Sequence, residues 1–318
     1  MKSRRRVCVL LCVLVIMFFL SLLLPRLGPA IPPLHQYLLP QHRQHPATHT
    51  CNNTIISAYY RIKSKHSYDE YLTWMTNFLS LPDCMVIFVQ PDLETLILSL
   101  RPPSYTTLVI PRPLKSFLST QLLDMKGWEE QVHKDPEHYP GHTKELFWIW
   151  NEKANMMKIV RDINPFFSTY FVWLDIGAVR HTGFNYQLLI RIIPEEKGVL
   201  LLSVESFTKE ENGESDFSLV NRIGGTTIGC DKDSVGMWYQ AYYRTVREYL
   251  QMGRFIGKDQ SMMATACLES DMCLLVHEDR HWLSTEVDQH WFMMQEWFRG
   301  EKKIKPVRLK MNSVTQTL

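Results

Sequence analysis

Asp175 stands at the end of an apolar run, Tyr170–Leu174 (YFVWL), and is followed by Ile176, Gly177, Ala178, Val179 and Arg180. A hydrophobic strand that delivers one carboxylate to its end can present it to a hard divalent cation, and such a cation can bridge a diphosphate. Gly177 lets the backbone turn closely, and Arg180 adds a cation nearby. The plain alternative is that Asp175 caps the following turn; the pattern alone supports both. A second carboxylate, Asp259, lies in Gly257-Lys258-Asp259-Gln260-Ser261 before a helical run. It can cap that helix at its amides, or stand at a pocket rim as a base or an acceptor-positioning group.

Three weaker signals accompany these. In Arg222-Ile223-Gly224-Gly225-Thr226-Thr227-Ile228-Gly229, Gly224 and Gly225 can cradle a phosphate or let a sugar approach the backbone, although a tight turn between two strands explains them as well. No Gly-Lys-Ser/Thr follows, so this is not a Walker A loop. Trp150-Asn151-Glu152-Lys153 offers Lys153 to a phosphate, where an exposed helical lysine is the ordinary case. His277 directly follows the apolar run Leu274–Val276, with His281 and His290 beyond. A late histidine can complete a metal site begun by a distant carboxylate, and a satisfied structural histidine is the commoner outcome.

The elements that must position these residues alternate between strand and helix. Thr54–Tyr60, Met85–Val89, Thr106–Ile110, Tyr170–Leu174, Val199–Ser203 and Leu274–Val276 read as strands. Residues 67–79, a short segment from Leu93, 143–162, 234–252 and 286–298 read as helices. The alternation predicts an α/β domain with a mostly parallel sheet and helices on both faces. Ligands of such sheets bind beyond the carboxyl ends of the strands, where Asp175 and His277 fall.

The chain of 318 residues is 45% hydrophobic and 21% charged, enough apolar sequence for a sizeable core. Six of its 35 basic residues and none of its 33 acidic ones lie in residues 1–50. Residues 51–318 therefore carry a net −4, which argues against duplex nucleic acid as a partner. Residues 7–24 (VCVLLCVLVIMFFLSLLL) contain no charge, and four basic residues precede them. Eighteen helical residues span about 27 Å, close to the thinner membranes of the early secretory pathway. The charge asymmetry predicts a type II signal-anchor with residues 1–6 cytosolic and the body lumenal. The run is longer than the core of a cleaved signal peptide, and Pro29 spoils the nearest cleavage site.

Residues 25–50, rich in Pro and His, form a stem that resists packing, and residues 51–318 form the lumenal domain. Asn52-Asn53-Thr54 is an N-glycosylation sequon, with Asn52 the acceptor. The body has five cysteines, Cys51, Cys84, Cys230, Cys267 and Cys273. In an oxidising lumen they can form two disulfides of unspecified pairing and leave one thiol. That thiol and the anchor helix are both possible routes to a dimer.

Taken together, these segments resemble the HtrL/YibB (WlaTC/HtrL) glycosyltransferase family. The likeness runs over roughly residues 54–300, through TIISAYYRIK, Tyr71-Leu72-Thr73-Trp74 and MVIFVQ, and on to GGTTIG and KDQSMM. Its most specific block supplies Trp150, Lys153, Asn164-Pro165-Phe166, Trp173, Asp175, Gly177 and Arg180 in order. The resemblance implies a GT-A-like (nucleotide-diphospho-sugar transferase) fold. It also implies transfer of a sugar from a nucleotide-sugar donor, here to a glycan or glycoprotein acceptor at the Golgi or ER membrane.

On that reading Ser57, Tyr59 and Arg61 face the nucleotide, and Asp175 holds Mn²⁺ or Mg²⁺ against the diphosphate. Lys153 or Arg180 shares the charge, with Gly224 and Gly225 close to the donor, and Asp259 orients or deprotonates the acceptor hydroxyl. The wider GT-A pattern carries Asp-x-Asp where Gly177 replaces the second Asp. A metal therefore needs another ligand, for which His277 is the candidate, or binds weakly or not at all. The alternatives are a catalytically inactive lumenal pseudoenzyme or glycan-binding module and, more remotely, a sulfotransferase suggested by GGTT. The latter's phosphosulfate loop belongs after the first strand, far from residues 224–227.

Overall fold

A computed structural model describes residues 50–138, 141–180, 189–277 and 291–310. The chain divides into two units, Met1–Leu38 and Leu39–Leu318, and everything described belongs to the second. The expected anchor at 7–24 lies outside the described residues. Among the described residues no helix is long and apolar enough to cross a membrane.

The element order is β1 (Asn53–Tyr59), α1 (Tyr68–Leu79), β2 (Met85–Val89), α2 (Glu94–Leu100), β3 (Thr107–Pro111), α3 (Met125–Lys134), α4 (Lys144–Ile163) and β4 (Tyr170–Leu174). It continues through β5 (Val199–Ser203), β6 (Ile223–Asp231), α5 (Ser234–Gln251), α6 (Asp259–Leu268), β7 (Cys273–Val276), α7 (Met293–Phe298) and β8 (Val307–Arg308). Every residue of β2, β4, β5 and β7 is buried, as expected of strands covered on both faces. Ile55, Tyr59, Met85, Ile87, Val172 and Leu174 pack with α1, α2 and α7 in one core layer. The alternate residues Ile56, Val86, Phe88, Phe171 and Trp173 are just as buried, and α4 contacts β1 and β4 there, while α5 and α6 contact β5 and β6.

Local signals set the helix ends. Ser67 and Glu70 form a reciprocal capping box at the start of α1. Helix α4 stops at Asn164, whose left-handed φ of 35° an asparagine tolerates, and Pro165 prevents continuation.

The sheet order is β3-β2-β1-β4-β6-β5-β7-β8. Four neighbouring pairs are parallel (β1 with β2 and β4, β2 with β3, β5 with β7) and three involving β6 or β8 are antiparallel. Chain order runs outward from β1 through β2 to β3 and then jumps to β4 on the other side of β1. That reversal makes a switch point, the place where an open α/β sheet leaves a crevice at the carboxyl ends of its strands.

The segment expected to be a Gly-rich turn is instead the start of strand β6. Its glycines serve close packing between neighbours. A Cβ on Gly224 would lie 3.1 Å from Leu202, one on Gly225 would lie 3.0 Å from the Asp259 carboxylate, and one on Gly229 would lie 2.6 Å from the Tyr170 hydroxyl.

Two disulfides join Cys51 to Cys84 and Cys267 to Cys273. The first ties the approach to β1 to the approach to β2, and the second closes the turn from α6 to β7. Cys230 is the leftover thiol, buried in β6, so it is no surface handle for a dimer. The loops closed differ in length, with separations of 33 and 6 residues. Chain-entropy arguments then predict that Cys51→Ser/Cys84→Ser destabilises by about 4 kcal/mol and Cys267→Ser/Cys273→Ser by about 2 kcal/mol. Urea denaturation of the two double variants measures the difference, and the reverse ranking would contradict it.

Candidate functional site

Helix α4 buries a polar turn. Asn151, Glu152, Lys153 and Asn155 are each no more than 3% exposed, although three charged or amide side chains in a row would ordinarily seek water. Each has partners. Asn151 donates to the Phe147 and Ile256 carbonyls and accepts from the Tyr242 hydroxyl. Glu152 pairs with Arg112 at 3.0 Å and accepts from the Ser119 amide and Asn155.

Lys153 is the centre of the site. Its ammonium lies 3.2 Å from Asp175 Oδ1 and 2.9 Å from Asp259 Oδ2, and it donates to the Gly225 carbonyl at 2.7 Å. Three elements supply these oxygens: the end of β4, the first turn of α6 and the start of β6. The missing side chain of Gly225 is what lets the Asp259 carboxylate close on the ammonium. Trp173 Nε1 donates to Asp175 Oδ1 at 2.7 Å, and the Gln260 amide donates to Asp259 Oδ1 at 2.9 Å. The two carboxylates differ in access: the Asp175 side chain is 34% exposed, that of Asp259 only 4%.

Burial works against the charge on Lys153, but Asp175 and Asp259 outweigh it and hold its pKa above the ordinary lysine value. Burial pushes Asp259 above the ordinary carboxylate value, assisted by the like charge of Asp175 and opposed by Lys153. The two directions agree. One cation and two carboxylates leave a net −1 in a dry site, so an added proton goes to the more buried carboxylate and the ammonium stays charged.

The loop after β4 is fixed by packing. The Arg180 guanidinium stands 4.3 Å from the Trp74 ring centre and 4.7 Å from that of Phe292, between α1 and the approach to α7. A Cβ on Gly177 would lie 3.3 Å from Tyr71 and 3.4 Å from Trp74, which explains the glycine. Gln295 donates to the Ala178 carbonyl at 2.6 Å.

On the other side of the switch point lies a cavity of about 530 Å³. Arg61, Lys63, Gln90 and Lys115 line it from just beyond the carboxyl ends of β1, β2 and β3, together with Pro113 and with Glu145 from α4. Three cations face one carboxylate, which suits an anionic ligand, and the volume is that of an ordinary small-molecule site.

The structure therefore brings together Lys153, Asp175, Asp259 and Gly225, with Arg180 on the loop after β4 and Arg61 at the neighbouring strand end. It does not bring Ser57 into the crevice: its side chain is fully buried and its hydroxyl donates to the Leu174 carbonyl at 2.7 Å, pinning β1 to β4. Tyr59 is 6% exposed and belongs to the core layer, where burial raises its phenol pKa. Gly224 packs on Leu202.

His277 follows β7, which is separated from β4 by β6 and β5. Three strand spacings amount to about 14 Å, so His277 and Asp175 do not share a compact ligand cluster. Among the described residues no group of three or more His, Cys, Asp or Glu side chains converges as a metal site. His281 and His290 lie outside the described residues. Asn52 is exposed, as a glycan acceptor must be.

Sequence reasoning missed Lys63, Gln90 and Lys115. Their signal was positional, since each follows one of the first three strands. No protein-family model matches the chain, and no curated protein matches it significantly.

Removing one member of the centre separates the roles. Lys153→Ala leaves two carboxylates facing one another, a change that destabilises by about 3–5 kcal/mol. Asp259→Asn mimics the protonated carboxylate and leaves Lys153 paired with Asp175, so its effect stays within about 1.5 kcal/mol. A carboxylate whose folded pKa is raised contributes stability below its unfolded pKa of about 3.9 and loses it as pH rises through the folded value. Without Lys153 that loss grows, so the deficit of Lys153→Ala is smaller at pH 5 than at pH 8. Urea denaturation at both values reads it, and a pH-independent deficit would remove the carboxylates as its cause.

Proposed function

We propose that this chain is a type II membrane glycosyltransferase of the secretory pathway with a GT-A-like lumenal domain. It transfers a sugar from a nucleotide-sugar donor to a hydroxyl of a glycan or glycoprotein acceptor. One observation carries the reading. A basic cavity and an accessible carboxylate flank the β1/β4 switch point, where an open α/β sheet binds its ligand.

The donor diphosphate fits the cavity side, where Arg61, Lys63 and Lys115 offer cations. Charge that develops on the diphosphate as the bond from the anomeric carbon breaks is stabilised by such fixed cations. The acceptor oxygen forms the new bond to that carbon and releases its proton. Asp175, one-third exposed at the end of β4, is the carboxylate able to receive it. Asp259 is too buried to meet an acceptor, so its part is to hold Lys153, and through it Asp175, in position.

The divalent cation expected from the resemblance does not fit the donor set present. Asp175 Oδ1 and Asp259 Oδ2 already converge on the Lys153 ammonium, and His277 lies beyond two further strands. No step is assigned to a metal.

A thermal-shift screen of the full chain in detergent against nucleoside diphosphates and nucleotide sugars tests the donor site. One base class should stabilise it, and Arg61→Ala or Lys115→Ala should each weaken that binding by about tenfold, roughly one charge-assisted contact. Asp175→Asn keeps an oxygen toward the ammonium and leaves Lys153 paired with Asp259, so it should keep stability within about 1.5 kcal/mol and lower turnover by about 10²-fold or more. Nucleotide binding with no transfer to any acceptor would make the protein a lumenal binding module instead.

A further inference from the structure

The oxygens around Lys153 have the chemistry of a hard-cation site. Two carboxylates and one backbone carbonyl, from Asp175, Asp259 and Gly225, point at one atom from distances of 3.2, 2.9 and 2.7 Å. Oxygen ligands of this kind select Ca²⁺, Mg²⁺ or Mn²⁺ over softer metals. The atom they surround here is an ammonium nitrogen, tethered to the middle of α4 and only 4% exposed. Ca²⁺ takes oxygen ligands at 2.3–2.6 Å, so a contraction of about 0.5 Å would convert this cradle to its coordination sphere.

We infer that the Lys153 ammonium is a built-in replacement for a divalent cation, so that the donor diphosphate binds without metal. The cradle follows from the geometry alone; its consequence for the donor rests on the glycosyltransferase reading. The charges are consistent with the exchange. An ammonium leaves the cradle with a net −1, where a divalent ion would leave it neutral. The positive charge a diphosphate needs must then come from elsewhere, and the cavity beyond the ends of β1, β2 and β3 offers it in Arg61, Lys63 and Lys115.

The replacement can be undone. In Lys153→Ala the three oxygens remain, and the space left by the side chain admits a metal ion with its waters. The full chain is stripped with EDTA in detergent, and thermal unfolding is followed with increasing Ca²⁺ or Mn²⁺. The unsubstituted protein should not respond. Lys153→Ala should start from a lower Tm and rise saturably, by about 5 °C at a hundredfold excess over Kd. The rise should vanish in Lys153→Ala/Asp175→Asn. If Lys153→Ala folds only when the cation is present, the inference stands equally.

Two results overturn it. One is a Lys153→Ala protein, folded or unfolded, that ignores both cations. The other is an unsubstituted protein that is itself stabilised saturably and loses this with Asp175→Asn.

A second arm separates this inference from the reading beneath it. ADP, GDP, CDP and UDP are titrated in EDTA and again in Mn²⁺. Equal stabilisation by one of them in both supports metal-free donor binding. Stabilisation only in Mn²⁺ keeps the donor site and overturns the replacement. No stabilisation in either overturns the donor site and metal-free donor binding with it, and the first arm alone then decides the cradle.

Discussion

Holding a charged ammonium in a dry interior is the constraint around which this domain is arranged. An unpaired lysine there would lose its proton, so Lys153 needs several oxygens at once. No single element can supply them. The end of β4 brings Asp175, the first turn of α6 brings Asp259, and the edge of β6 brings the Gly225 carbonyl. For all three to meet, β6 must run beside β4 with its beginning at the carboxyl edge of the sheet. Its antiparallel pairing with β4 does this, and the Asp175 amide donates to the Thr226 carbonyl at 3.0 Å. A side chain at residue 225 would push Asp259 away. Topology, glycine placement and electrostatics are here one requirement.

The same turn of α4 also registers the other half of the crevice. Glu152, next to Lys153, is fully buried and pairs with Arg112, the residue directly after β3. The Arg112 amide donates to the Val89 carbonyl at 2.8 Å, and its own carbonyl accepts from the Tyr60 hydroxyl at 2.9 Å. The ends of β1, β2 and β3 are thus fastened to one another and, through Glu152, to the helix that carries Lys153. Pro113 and Lys115, on the rim of the basic cavity, follow immediately. Successive residues of one helix, 152 and 153, therefore fix the two sides of the switch point relative to one another.

Much of this was legible in the sequence, for identifiable reasons. Strands buried on both faces are short apolar runs, and MVIFV, YFVWL and VLLLS form β2, β4 and β5 over the expected residues. Helix α4 was expected over 143–162 and spans Lys144–Ile163, because the Asn164-Pro165 stop is local chemistry. Asp175, Lys153 and Asp259 were each singled out. Their convergence was not legible, because it depends on β6, whose glycines mimic a turn. Nor was their access: a carboxylate at a helix start looks the same in sequence whether it faces solvent, as a rim group would, or a buried ammonium, as Asp259 does. Ser57 is the same case on a strand, where period-two alternation does not say which polar residue bonds a neighbouring carbonyl. The cysteine pairing likewise follows from sheet order rather than spacing, since Cys51 and Cys84 lie at the same ends of two adjacent parallel strands.

The charge distribution gives the crevice a direction. Around Lys153 the sum is −1, expressed mainly through the exposed part of Asp175; beyond the ends of β1–β3 three cations oppose one carboxylate. A ligand with a diphosphate at one end and an electrophilic carbon at the other meets these two regions in only one sense. For the donor proposed above, this would draw the phosphates to Arg61, Lys63 and Lys115 and away from Asp175, and leave the carbon on the β4 side. In the proposed transfer the negative charge on the departing diphosphate would build among the cations and away from the carboxylate. In the same proposal a hydroxyl approaching the carbon from the β4 side would meet Asp175 as its proton acceptor. In that reading the buried Lys153 aims the Asp175 carboxylate from 3.2 Å.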